Sequence, residues 1–158
     1  MRVSIICVGK IKEKFYTDAV KEYAKRMSRF ADFEITEIPD ERIPDNASEK
    51  EIEKIKEREG EKILSKLNPQ SFVISLCVEG KTLDSTELAD TIKNACTRTS
   101  RIVFIIGGSL GLSDAVKAKS DLRLSFGRMT LPHQLMRVVL SEQIYRSFMI
   151  NSGATYHK

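Results

Sequence analysis

The chain has 158 residues, 41% hydrophobic and 30% charged, with 26 basic and 22 acidic side chains for a net charge of +4. Those values exclude wholesale disorder, and the length suits one domain, residues 1–158, able to bury roughly two-thirds of its unfolded surface. No apolar run approaches the ~18 residues that span a bilayer, and the short apolar start runs into Lys10-Ile11-Lys12-Glu13-Lys14 with no small-residue cleavage site, so the expectation is a cytoplasmic protein without a membrane anchor.

Val3–Val8 is a continuous apolar run and predicts a core strand. Phe15, Ala19, Val20, Tyr23, Ala24 and Met27 follow at helical spacing. Phe33–Ile38 predicts a second strand, stopped by Pro39, and residues 40–47 read as polar loop. Ser48-Glu49-Lys50-Glu51 has the form of a capping box, opening a helix that carries Ile52, Ile55, Ile63, Leu64 and Leu67. The centre of that helix, Lys56–Lys62, is charged and holds Gly60; it reads as a solvated face or as a hinge beside a site. Phe72–Val78 predicts a third strand ended by Glu79-Gly80-Lys81. Asp84 is placed to cap a helix over 85–95, with Glu87 completing a second box. Ile102–Ile106 is a fourth strand, Ser113 caps a short helix through Lys119, and Leu122–Phe126 is a fifth strand. The last helix begins near Pro132 and runs to about Met149.

Apolar strands alternating with helices predict an α/β fold: a mostly parallel sheet covered on both faces. Such sheets bind ligands at the carboxyl ends of their strands. The loops after Val78, Ile106 and Phe126 are three such ends. Two are glycine-rich, Gly107-Gly108-Ser109-Leu110-Gly111 and Gly127-Arg128-Met129-Thr130, and glycine lets backbone approach a ligand closely. The last helix is apolar over more than one stripe, which asks for a second partner: a ligand, a deeper core position or an identical subunit.

From Arg101 onward Lys and Arg outnumber Asp and Glu by five, so the glycine loops lie in the basic part of the chain, which suits a polyanion. Cys7, Cys77 and Cys96 are far apart in sequence and read as free thiols; no Cys/His spacing resembles a zinc site. The G-x-G-x-x-G, G-x-x-x-x-G-K-[ST], G-x-S-x-G and H-E-x-x-H patterns are all missing. His133, after Pro132, reads as a capping or packing residue or as a catalytic one. The Tyr156-His157-Lys158 terminus either frays or folds over a neighbouring site, where its groups suit base stacking and phosphate.

The chain resembles a known family in Val8-Gly9-Lys10, Pro39-Asp40-Glu41, Lys56–Gly60, Phe104–Gly111, Leu131-Pro132-His133-Gln134-Leu135-Met136-Arg137-Val138, Glu142-Gln143-Ile144-Tyr145-Arg146 and the Tyr156-His157-Lys158 end. The family is the large-subunit ribosomal RNA methyltransferase H family, a minimal branch of the SPOUT class. The resemblance implies a C-terminal trefoil knot whose loops hold S-adenosylmethionine, and a homodimer with its site at the subunit interface. It implies methylation at N3 of a pseudouridine in the helix 69 loop of 23S rRNA, within the assembled ribosome. Carried over by motif, the cofactor would touch Leu76, Gly107 and the run Phe126, Gly127, Arg128, Met129, Thr130, Leu131. The base could be a side chain, a phosphate or water, with His157 the first candidate and Tyr156 beside it, and Arg137 could stabilise an enolate-like oxygen or hold phosphate. No metal is implied. The rival readings are a small basic RNA-binding or ribosome-associated factor without catalysis, and a Rossmann-like nucleotide-binding domain.

Overall fold

The computed structural model describes residues 1–157; Lys158 lies outside them. Five strands, β1 (Arg2–Val8), β2 (Asp32–Ile38), β3 (Phe72–Thr82), β4 (Arg101–Ile106) and β5 (Leu122–Ser125), form one sheet in the order β2-β1-β4-β3-β5, every pairing parallel. Between them run α1 (Lys14–Met27), α2 (Glu49–Leu64), α3 (Ser85–Cys96), α4 (Asp114–Lys119) and, last, α5 (His133–Asn151). Alternate strand residues feed two cores, as a two-residue side-chain period demands. Val3, Ile5, Ile102, Phe104 and Ile106 pack with α1, α3 and α5; Ile6, Val8, Val103 and Ile105 pack with α2 and α4.

Local chemistry sets the helix starts. Asp84 and Glu87 make both halves of their capping box, and the Ser113 hydroxyl accepts from Val116 N–H. Ser48 makes only half of its box: it accepts from Glu51 N–H, while the Glu51 carboxylate meets the Ser48 hydroxyl at 3.3 Å rather than its backbone.

Two expectations are corrected. First, β3 runs past Val78 to Thr82, because a register shift between Leu76 and Lys81 lets the strand bulge and pair with β5 again. Second, the charged centre of α2 is not a wholly solvated face. Glu59 and Gly60 are buried, and a Cβ at Gly60 would run into the Ser113 hydroxyl, so α2 and α4 meet there in close contact. The helix α5 lies between α1 and α3, with Tyr145 against Tyr23 and Phe30, and with the Asn151 amide donating to Ala89 O. Leu140, Ile144 and Tyr145 are buried there, while Leu135, Met136, Val138, Val139, Phe148 and Met149 stay partly exposed within the single chain.

Candidate functional site at three strand ends

The sheet order sets β4, β3 and β5 side by side, so the loops after Ile106 and after Ser125 converge on the bulge of β3 at Leu76–Val78. They enclose a cavity of about 340 Å³. Leu76, Gly107, Phe126, Gly127, Met129, Thr130 and Leu131 line it; Arg128, the remaining member of the predicted set, is exposed beside it. Met129 is 86% exposed and Val78 63%, an unusual amount of apolar surface left in water at a cavity mouth.

The glycines here differ in their reasons. A Cβ on Gly107 would stand 3.0 Å from Gly111 C and from Leu112 Cδ2, so Gly107 is glycine because its own turn is tight, not to clear a ligand. Gly111 and Gly127 have φ of +82° and +105°, and a Cβ on either would meet nothing within 4 Å. There the backbone is both in a conformation that favours glycine and bare toward open space. Such a cradle, with apolar Leu76, Phe126, Met129 and Leu131 around it, fits an adenine ring and a sulfonium-bearing chain.

His133, the first residue of α5, lines the same cavity, a role the residues alone left open. Burial, and then the nearby Arg137 guanidinium, hold its imidazole below the usual histidine range, so it is neutral at pH 7 and free to take a proton. Its neighbour Gln134 fixes the helix start: Oε1 accepts from Lys12 N–H at 2.8 Å and Glu13 N–H at 3.2 Å. The signal in the sequence was positional, a histidine in the first turn after a strand-end loop.

The other predicted residues lie elsewhere. Arg137 is 1% exposed and turned inward, its Nη2 donating to Val8 O and Gly9 O and its Nη1 to the Glu37 carboxylate. Tyr156 and His157 do not line the cavity of their own chain. They fold onto the middle of α5, where Tyr156 O–H donates to Glu142 at 3.2 Å, and the Arg146 guanidinium lies over the Tyr156 ring at 4.8 Å. Burial and Glu142 raise the Tyr156 phenol, keeping it protonated. Arg146 Nη1 approaches His157 Nδ1 at 3.3 Å, and a guanidinium only donates, which assigns the free lone pair to Nδ1 and the proton to Nε2. Among the described residues no cluster of His, Cys, Asp or Glu is built to hold a metal ion.

A family model described as "Predicted SPOUT methyltransferase" matches residues 1–157. The chain belongs to the SPOUT methyltransferase family. This SPOUT chain is 56% identical over 159 residues to the Ribosomal RNA large subunit methyltransferase H of Lactococcus lactis subsp. cremoris (strain SK11), with 100% of each chain covered. It is 53% identical to the protein of that name from Lactobacillus delbrueckii subsp. bulgaricus (strain ATCC BAA-365 / Lb-18), again with 100% of each chain covered. Among solved structures it is similar to a probable methylase family protein from Haemophilus influenzae Rd KW20, with a TM-score of 0.54 and 12% identity over 99% of this chain and 70% of that one. The tRNA (m1G37) methyltransferase from Aquifex aeolicus gives a TM-score of 0.50 and 14% identity over 92% and 70%. At such identities the last two speak for the fold alone.

Proposed function

We propose that this single-domain SPOUT protein transfers a methyl group from S-adenosylmethionine to N3 of a pseudouridine in the helix 69 loop of 23S rRNA, within the ribosome, as a cytoplasmic homodimer. The observation that carries the reading is the cavity between the bulge of β3 and the ends of β4 and β5, lined by seven of the eight residues the resemblance assigns to the cofactor. Full-length identity of 53–56% to relatives named for the large ribosomal subunit supports the substrate class. The nucleotide, the atom, the C-terminal knot and the dimer rest on the resemblance. Among the described residues no helix is long and apolar enough to cross a membrane.

When bound, S-adenosylmethionine supplies an electrophilic methyl on a sulfonium. The chain's own part is mostly positioning. Leu76, Phe126 and Leu131 enclose the apolar ring, and the bare backbone at Gly111 and Gly127 approaches the polar chain. N3 of pseudouridine must lose a proton. His133 is the imidazole that meets the cavity within one chain, neutral and half-buried, and we assign it the base. His157 and Tyr156 reach a cavity only as part of a second copy, which is how the dimer would use the tail. Arg137 acts as a positioning residue, not on the substrate oxygen.

Tritiated methyl incorporation into ribosomes lacking their own helix 69 methylation tests the reading, followed by mass spectrometry of the modified fragment. Incorporation at the pseudouridine of that loop supports it. Tight ribosome binding without incorporation would leave the non-catalytic RNA-binding factor instead.

A further inference from the structure

Ser125, the last residue of β5, is 5% exposed and is not among the residues that line the cavity. Its hydroxyl nevertheless joins two segments that do line it. Oγ donates to Val78 O in the bulge of β3 at 2.8 Å and accepts from Gly127 N–H at 3.1 Å. These roles admit one arrangement. A carbonyl only accepts and an amide N–H only donates, so the single hydroxyl proton goes to Val78.

Both partners lie where the sheet does not hold them. Val78 falls inside the register shift between Leu76 and Lys81 and has no register partner on β4 or β5. Gly127, at φ +105°, belongs to neither a strand nor a helix. A bond to Gly127 N–H fixes the plane of the Phe126–Gly127 peptide, because the N–H and C=O of one planar unit turn together. Phe126, Gly127 and Val78 all line the cavity. The bulge is also seated directly on β5: a Cβ on Gly80 would stand 2.6 Å from Arg123 O. The remaining wall, Gly107–Gly111, closes on itself instead, with Gly111 N–H donating to Gly108 O at 3.0 Å.

We propose that Ser125 is a positioning residue for the methyl transfer. Through one hydroxyl it sets the separation between the β3 bulge and the loop that begins at Phe126, and with it the fit of the methyl donor between them. This deepens the function proposed above and rests on it.

Three variants test it. Ser125→Ala leaves Val78 O and Gly127 N–H without their partner and is expected to weaken S-adenosylhomocysteine by about 10-fold in calorimetry, with the KM for S-adenosylmethionine rising in step. Ser125→Thr keeps the hydroxyl and is expected to stay within about three-fold of wild type. Ser48→Ala removes the N-cap of α2, lowers the unfolding midpoint and touches neither loop, so its affinity is expected to match wild type. Amide hydrogen exchange at Gly127 should quicken by about 10-fold or more in Ser125→Ala and recover in Ser125→Thr.

Wild-type affinity in Ser125→Ala overturns the inference. So does a Thr variant as weak as the Ala one. An equal loss of affinity in Ser48→Ala at the same drop in midpoint also overturns it, because the hydroxyl would then act on stability alone. Where Ser125→Ala does not fold, Ser125→Cys replaces it, with a weaker donor and acceptor at the same place. An intermediate loss there supports the inference, and wild-type affinity there overturns it. A wild-type chain that binds neither S-adenosylmethionine nor S-adenosylhomocysteine removes the cofactor site itself, whereas wild-type binding with unaffected variants removes only the role of Ser125.

Discussion

Arg137 Nη2 donates to the Gly9 carbonyl at 2.7 Å, joining the second turn of α5 to the end of β1 across 128 positions of sequence. The same guanidinium also bonds Val8 O and the Glu37 carboxylate, so one buried cation gathers the ends of β1 and β2 beneath the helix that carries His133. Arg137→Ala strands those acceptors and is expected to cost about 2–4 kcal/mol in urea unfolding. Arg137→Lys is expected to recover less than half, because an ammonium lacks the planar fork. Two variants as stable as wild type would show that the clamp contributes nothing.

The glycine loops are expected to separate stability from binding. Gly107→Ala forces a Cβ into Gly111 and Leu112 and should cost about 1–3 kcal/mol of stability. Gly127→Ala, at φ +105°, carries backbone strain of about 1–3 kcal/mol at a residue that lines the cavity. Cofactor affinity should therefore fall more for Gly127→Ala than for Gly107→Ala at matched stability. Thermal shift with and without S-adenosylhomocysteine reads both; the reverse order of affinities would contradict the placement of the cradle.

Because the His133 imidazole titrates below its unfolded value, the folded chain binds fewer protons there than the unfolded one. Its share of stability is present above the ordinary histidine range near 6.5 and is lost as pH falls below it. As base, His133 must be unprotonated, so the acid limb of the kcat/KM profile is expected below 6.5. His133→Gln should abolish that limb along with most of the rate. A His133→Gln enzyme with an unchanged profile would move the base to the tail of a second copy or to solvent.

Glu59 is 5% exposed, with Oε2 accepting from Glu41 N–H at 3.0 Å, and a Cβ on Gly108 would lie 3.4 Å from Oε1. Burial raises its carboxyl, so the folded state favours the protonated form. The stability linked to this group is full below the unfolded carboxylate range and lost as pH rises through the raised folded value. Glu59→Gln keeps an acceptor without the charge and should be at least as stable as wild type at pH 7, with the difference shrinking on acidification. Glu59→Ala should lose about 1–3 kcal/mol by leaving Glu41 N–H unpaired. Denaturant midpoints at pH 5 and pH 7 decide it; a Glu59→Gln protein far less stable than wild type at pH 7 would mean the charge itself is needed.

Local and periodic features were legible in the residues. Apolar runs marked all five strands, and the Asp84 and Ser113 caps marked helix starts, because each depends on neighbours within a turn. The convergence of the loops after β4 and β5 beside β3 followed from the alternation of strands and helices, since parallel sheets leave their carboxyl ends on one side. Long-range pairing decided the rest. The extension of β3 to Thr82 needs β5 alongside it; the burial of Glu59 needs the loop at Glu41; the inward turn of Arg137 needs carbonyls 128 and 129 positions away. A charged side chain reads as solvated in sequence unless its partners are known, and those partners lie on other elements. The tail reads in sequence as fraying or as folding over a neighbouring site, while the fold sets Tyr156 against Glu142 and Arg146 on the flank of α5, where a cation, a carboxylate and a ring satisfy one another first.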